Sequence, residues 1–223
     1  MNSRTWHAKC SEKLQRSIGS LTKKSNLRGD KMKAQTMIEE QDNTRNGVNV
    51  TELFNTIDAV KSNPVIAKFK FRADNQWFDG GHNRTTIKDF YGIQKTHNHE
   101  ASFNLDADEP PLLLGTGKGP NPVEYLLTAL AACVTTSLVY HAAAKGIILN
   151  SVESRLEGDI DLRGFLGISR DVRKGYQEIR MVFKIDADVP QEDLEELVQL
   201  GPTYSPVFDS ITKGVPVSVS LDR

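Results

Sequence analysis

Cys133 is the residue best placed to do covalent chemistry. It lies in the middle of a long apolar run, whereas the other cysteine, Cys10, sits in a basic leader. A thiol acts as a nucleophile only as thiolate, which needs a nearby base or cation. No sequential neighbour supplies one. On an ideal helix Thr136, Ser137 and Tyr140 share the face of Cys133, and Glu124, nine residues back, falls on the opposite side. An activator must come from elsewhere in the fold or from a second chain; without one, Cys133 is a small core hydrophobe. Other candidates are weaker. His97 and His99 would share one face of a strand, but two histidines with no third partner make a poor metal site, and two cysteines without a CxxC leave no thiolate zinc site. The run Gly115-Thr116-Gly117-Lys118-Gly119 has the look of a phosphate loop. It lacks the first glycine at the required distance and a buried strand before it, so it reads as the entry to the long helix. Arg170, Arg173 and Lys174 fall in a stretch that reads as a solvated loop.

The elements that must position Cys133 are well signalled. Residues 121–146 predict a helix with Asn121 as N-cap, Pro122 at the first helical position, Glu124 where a capping-box acid sits, Lys145 in the last turn and Gly146 just beyond. At 1.5 Å per residue it would span roughly 36 Å, and it is apolar on nearly every face. Twenty uncharged residues could cross a membrane, but the threonines, Ser137, His141, the many alanines and the flanking amphipathic strands favour a central helix covered all round, in part by a partner chain. Upstream, residues 50–60 predict a short helix capped by Thr51 and ended by Pro64. Alternation through Ala67, Phe69 and Phe71 then predicts a hairpin turning at Asp74-Asn75, its second strand running from Trp77 through Gly80-Gly81 to Ile87. Downstream, Val152 to Leu162, Ile179 to Ile185 and Val215 to Leu221 alternate as half-buried antiparallel strands. A helix from Pro190 to Leu200, stopped by Gly201-Pro202, precedes the last of them.

Composition bounds the partners. With 28 Lys+Arg against 29 Asp+Glu, 38% hydrophobic residues and 223 positions, the chain has ordinary globular make-up and no compositional case for nucleic-acid binding. The charge is uneven: residues 1–34 hold nine Lys/Arg against Glu12 and Asp30. Residues 1–48 are therefore expected to be a basic, disordered extension and 49–223 a single domain. Free thiols and the absence of a secretory apolar core suit the cytoplasm, with no membrane partner expected.

The run Gly119-Pro120-Asn121-Pro122-Val123-Glu124, nine residues ahead of Cys133, then the strand pair and Ser205-Pro206-Val207 before the last strand, resembles the OsmC/Ohr family of osmotically induced and organic-hydroperoxide-resistance proteins. The likeness covers about residues 64–223. It implies an α+β fold, a strongly bent antiparallel sheet around two central helices, in an intertwined homodimer. It also implies a peroxidase site in which Cys133 is the reactive thiol and Glu124 and an arginine polarise it. Arg84, near the double glycine, is the best match for that arginine and Arg72 the second. Many members carry the acid one residue earlier, where Val123 stands. The family's second, resolving cysteine usually precedes Pro-Val, and here that position is Ser205. The function implied is thiol-dependent reduction of organic hydroperoxides by a one-Cys cycle that takes an external thiol, with no cofactor and no metal. The alternative is a non-catalytic module that binds a small apolar ligand at the dimer interface.

Overall fold

The structure is a computed structural model and describes residues 43–222; the leader, including Cys10 and most of the expected extension, lies outside the described residues. Its first element is a hairpin, β1 (Thr44–Arg45) and β2 (Val48–Asn49), turned by Asn46 and Gly47 at φ 52° and 75°. Asn-Gly in a two-residue turn is the pair that tolerates positive φ at both positions. The Asn46 side chain ties the hairpin to the exit of the long helix, donating to Ile147 O at 2.8 Å and accepting from Leu149 N at 2.9 Å.

Helix α1 (Val50–Ser62) follows, capped by Asn49 rather than Thr51, with Asn49 Oδ1 accepting from Glu52 N at 3.0 Å. A four-stranded antiparallel sheet comes next: β3 (Lys70–Phe71), β4 (Asp74–Asp79), β5 (His82–Gly92) and β6 (Lys95–Ala107). Here the sequence expectation needs correction. The chain reverses at Gly80, φ 53°, so the segment expected as one strand through Gly80-Gly81 is two strands facing each other. Gly80 accepts a conformation that other residues resist, which is the reason the turn falls there. Strand β6 was anticipated only around His97 and His99; its run from Lys95 to Ala107 mixes His, Asn, Glu and Asp with few large apolar residues.

Helix α2 (Pro122–Lys145) ends at Gly146 in the left-handed conformation, φ 79°. It is long and apolar enough to cross a membrane by length and composition. One side of it is the core of the chain: Leu138 and Ala142 pack with Ile147 and Leu197, surrounded by Val152, Phe183 and Ile185. The covering elements are the two-stranded sheet of β7 (Leu149–Asp159) and β8 (Glu178–Ala187) and the helices α4 (Gln191–Thr203) and α5 (Pro206–Lys213); a single turn, α3 (Leu162–Phe165), sits between the strands. Helix α4 runs through Gly201-Pro202 instead of stopping there. Gly201 is buried, and a β-carbon on it would lie 3.0 Å from Val134 Cγ1, so its small size is what lets α4 lie close to α2.

The chain is thus α+β with antiparallel sheets. Residues 215–221, expected as a last strand, form no ladder in the single chain, and Val217 and Val219 stand open to solvent. A strand is held by a hydrogen-bonded neighbour, and no described segment takes that place. The four-stranded sheet stands apart from the helix pair, joined at the entry to α2, where Tyr125 Oη donates to Asp106 O at 2.6 Å and Asp108 N to Pro120 O at 3.2 Å.

Candidate functional site

Cys133 is half-buried on α2. Residues Ala129, Ala132, Thr136, Ser137, Tyr140 and His141 of the same helix surround it in an open groove of about 500 Å³. Tyr204 and Pro206, from the junction of α4 and α5, form the opposite wall. That junction is held firmly. Tyr204 stacks on His141 with ring centroids 4.5 Å apart, His141 Nδ1 lies 2.7 Å from Ser137 O, and Ser205 Oγ accepts from Phe208 N at 3.1 Å as the N-cap of α5. Ser205 is buried, at 2% exposure, between the two residues that wall the groove. Its hydroxyl suits the cap, where a thiol would accept weakly.

The other sequence candidates lie elsewhere in the single chain. Glu124 is in the first turn of α2 and works as a cap: its Oε2 accepts from Asn121 N at 2.8 Å while Asn121 Oδ1 accepts from Val123 N at 3.0 Å. Arg84 is on β5 directly opposite Asp106 on β6 and grips it in a fork, Nε to Oδ1 at 3.0 Å and Nη2 to Oδ2 at 2.9 Å. The Arg84 guanidinium first, and the His82 ring second, hold the Asp106 carboxyl below its usual value. Neither Arg84 nor Glu124 lines the Cys133 groove. Arg72 is paired with Asp89. His97 Nε2 lies 3.0 Å from Gly92 O, its ring stacks on Phe90, and His99 leans on Phe90 and Phe103. Among the described residues no group of three or more His, Cys, Asp and Glu is set to hold a metal.

Residues 115–220 match the family of OsmC-like proteins. Those residues form an OsmC-like domain. Among solved structures, an OsmC-like protein from Mycoplasma pneumoniae is 19% identical with a TM-score of 0.50, over 66% of this chain and 89% of that one. An organic hydroperoxide resistance protein OsmC from Legionella pneumophila is 18% identical with a TM-score of 0.44, over 65% and 91%. At these identities the first likeness concerns fold alone. No curated protein matches the chain. Its role is of the general OsmC type.

Within this OsmC-family domain, sequence reasoning missed the groove's far wall. Tyr204 and Pro206 are about seventy positions from Cys133, and only the packing of α4 and α5 on α2 brings them there. It also missed Asp108. Asp108 is 1% exposed and its carboxylate sits inside the loop of residues 115–119. Oδ2 accepts from Thr116 Oγ1 at 2.6 Å, Thr116 N at 3.1 Å and Lys118 N at 3.1 Å, and Oδ1 accepts from Glu109 N at 2.8 Å. The Thr116 hydroxyl first, then the N–H groups of Lys118, Glu109 and Thr116, hold this carboxyl far below the usual range, against the opposing effect of burial. A folded-state pKa below the unfolded one means a contribution to stability that is complete above the unfolded value, about 3.9, and is lost as pH falls through the folded one. Asp108→Asn is therefore expected to lower Tm at neutral pH by on the order of 5 °C or more, because an amide cannot accept on both sides. Below about pH 4 the gap to wild type should narrow; thermal melts from neutral to acid pH check both statements, and a constant gap would refute the linkage.

Proposed function

We propose that the protein reduces organic hydroperoxides at Cys133 by a one-Cys cycle. The thiolate sulfur attacks the terminal peroxide oxygen; the S–O bond forms as the O–O bond breaks, and the departing alkoxide takes up a proton to become the alcohol. Sulfur is oxidised to sulfenic acid as the peroxide is reduced. An external thiol then attacks the sulfenic sulfur, giving a mixed disulfide and water, and a second thiol frees Cys133 by exchange. The observation that carries this reading is the placement of Cys133: half-buried, at the floor of an apolar groove open enough to admit an alkyl chain, in an OsmC-family domain. Ser205 cannot serve as a resolving residue, so the reductant comes from outside, as a reducing cytoplasm provides.

The reading includes a homodimer. Trp77, Phe78, Phe103 and Leu105 of the four-stranded sheet are exposed, and residues 215–221 pair with no other strand among the described residues. A second copy would cover these faces and carry Arg84 and Glu124 toward the opposite groove. Sedimentation is expected to give twice the chain mass of 24.8 kDa at micromolar concentration. A monomer there would remove the source of the activating cation.

A second reading has one observation in its favour: among the described residues no cationic side chain but His141, if protonated, lines the groove, and Arg84 is engaged by Asp106. On that reading the groove binds a small apolar ligand and Cys133 is part of its wall. Peroxide consumption by pre-reduced protein, with the oxidation state of the Cys133 peptide read by mass, separates the two.

A further inference from the structure

The excursion between β7 and β8, residues 162–174, takes no part in the site described above. It is a folded loop. Asp161 Oδ1 accepts from Arg163 N at 3.0 Å, Ile168 N and Ser169 N both donate to Arg163 O at 2.9 and 3.1 Å, and Gly167 turns the chain at φ 71°. Gly164 is pressed against the backbone of Val172 and Arg173, where a β-carbon has no room. This framework presents large apolar side chains to solvent: Phe165 is 64% exposed, Leu166 61% and Ile168 71%. A merely solvated loop has no use for three such neighbours at its tip.

The charges beside them are mostly positive. Arg163 is neutralised by Asp161, but Arg170, Arg173 and Lys174 make no ion pair among the described residues, and Asp171 is the one acid in the loop. An apolar tip flanked by unpaired cations matches the boundary of an anionic bilayer, where acyl chains lie beneath phosphate head groups. The loop also borders a destination for such chains. Arg173 and Tyr176 stand at one side of a cavity of about 680 Å³ whose walls include Leu126, Leu130, Met181 and Phe208, separate from the Cys133 groove and within the size range of small-ligand sites.

We propose that residues 162–174 dock the protein on anionic lipid membranes, with Phe165, Leu166 and Ile168 entering the head-group boundary and Arg170, Arg173 and Lys174 facing the phosphates. The loop needs nothing from Cys133, so failure of the peroxidase reading leaves this one standing. The test is co-sedimentation of the full chain with vesicles of phosphatidylcholine alone or mixed with phosphatidylglycerol. The basic leader is shared by every variant and sets a common baseline. Wild type is expected to bind the anionic vesicles, F165S/L166S/I168S about tenfold more weakly, and R170Q/R173Q/K174Q with its preference for phosphatidylglycerol and its salt dependence reduced. Because the substituted side chains are exposed, both variants are expected to melt close to wild type. Should the first variant fail to fold, Phe165→Trp replaces it, and quenching by brominated phosphatidylglycerol beyond that of wild type supports insertion. Equal binding by wild type and F165S/L166S/I168S, no binding by wild type, or no added quenching overturns the proposal. So does a change of oligomeric state in that variant without vesicle binding, which would make the tip a contact between copies of the chain.

Discussion

Cys133→Ser is expected to abolish hydroperoxide consumption. Pre-reduced wild type mixed with an alkyl hydroperoxide should remove about one equivalent quickly, with one oxygen atom gained on the Cys133 peptide, and turn over repeatedly once a dithiol is added. The serine variant should remove peroxide at the uncatalysed rate in both conditions, because a hydroxyl at neutral pH offers no anionic nucleophile. Wild type in turn should accumulate sulfenic acid when no thiol is present, since Ser205 has neither the sulfur to form a disulfide nor a free geometry, its oxygen being held as the cap of α5. Peroxide loss that is unchanged in Cys133→Ser would move the chemistry off this residue. No loss with either protein would leave the ligand-binding reading. A small alkylating reagent would then report whether the thiol at the groove floor is reachable at all.

The largest stability effect is expected at Leu138. Its side chain is fully buried in the cluster with Ala142, Ile147 and Leu197, and a β-carbon placed on Gly201 of α4 would lie 3.5 Å from Leu138 Cβ, so helices α2 and α4 meet at this point. Leu138→Ala should cost about 2–5 kcal/mol, the transfer of the lost methyl groups plus the cavity left among rigid neighbours. In a domain of this size that is a fall in Tm of roughly 5–15 °C. Leu138→Met, which nearly conserves volume, should cost less than about 1.5 kcal/mol. Urea denaturation of the three proteins measures the difference, and a loss under about 1 kcal/mol for the alanine variant would mean that α2 and α4 do not pack here.

What could be read from the sequence follows the range of the forces involved. The limits of α2 were legible because its caps are local: Asn121, Pro122, Glu124 and Gly146 act within a turn of where they stand. Strands β7 and β8 were legible because each has one wet and one dry face. Strand β6 was not, since its polar pattern suits a strand only once β5 supplies hydrogen bonds along its length. The tail at residues 215–221 has the alternation of a strand and no strand partner among the described residues, so pattern and pairing part company there. The Asn46-Gly47 hairpin carried a clear local signal that was passed over within a polar stretch. In the site, Cys133 stood out by its helix, and the serine at position 205 by the residues after it. The stacking of Tyr204 on His141, and the capture of Arg84 by Asp106, depend on contacts between distant segments that no spacing rule conveys.

The loop of residues 115–119 closes around Asp108 much as a phosphate loop closes around its anion. The guest here is tethered by the main chain and cannot dissociate. Its local concentration is fixed, so the loop keeps its shape at any level of free phosphate or nucleotide, and the entrance to α2 is preset before a substrate arrives. A stretch rich in glycine with a lysine thus reports a concave array of N–H groups and says nothing about whether the occupant comes from solution or from the chain itself. In this protein the occupant is permanent, and the array fastens the end of the four-stranded sheet to the entry of the helix that carries Cys133.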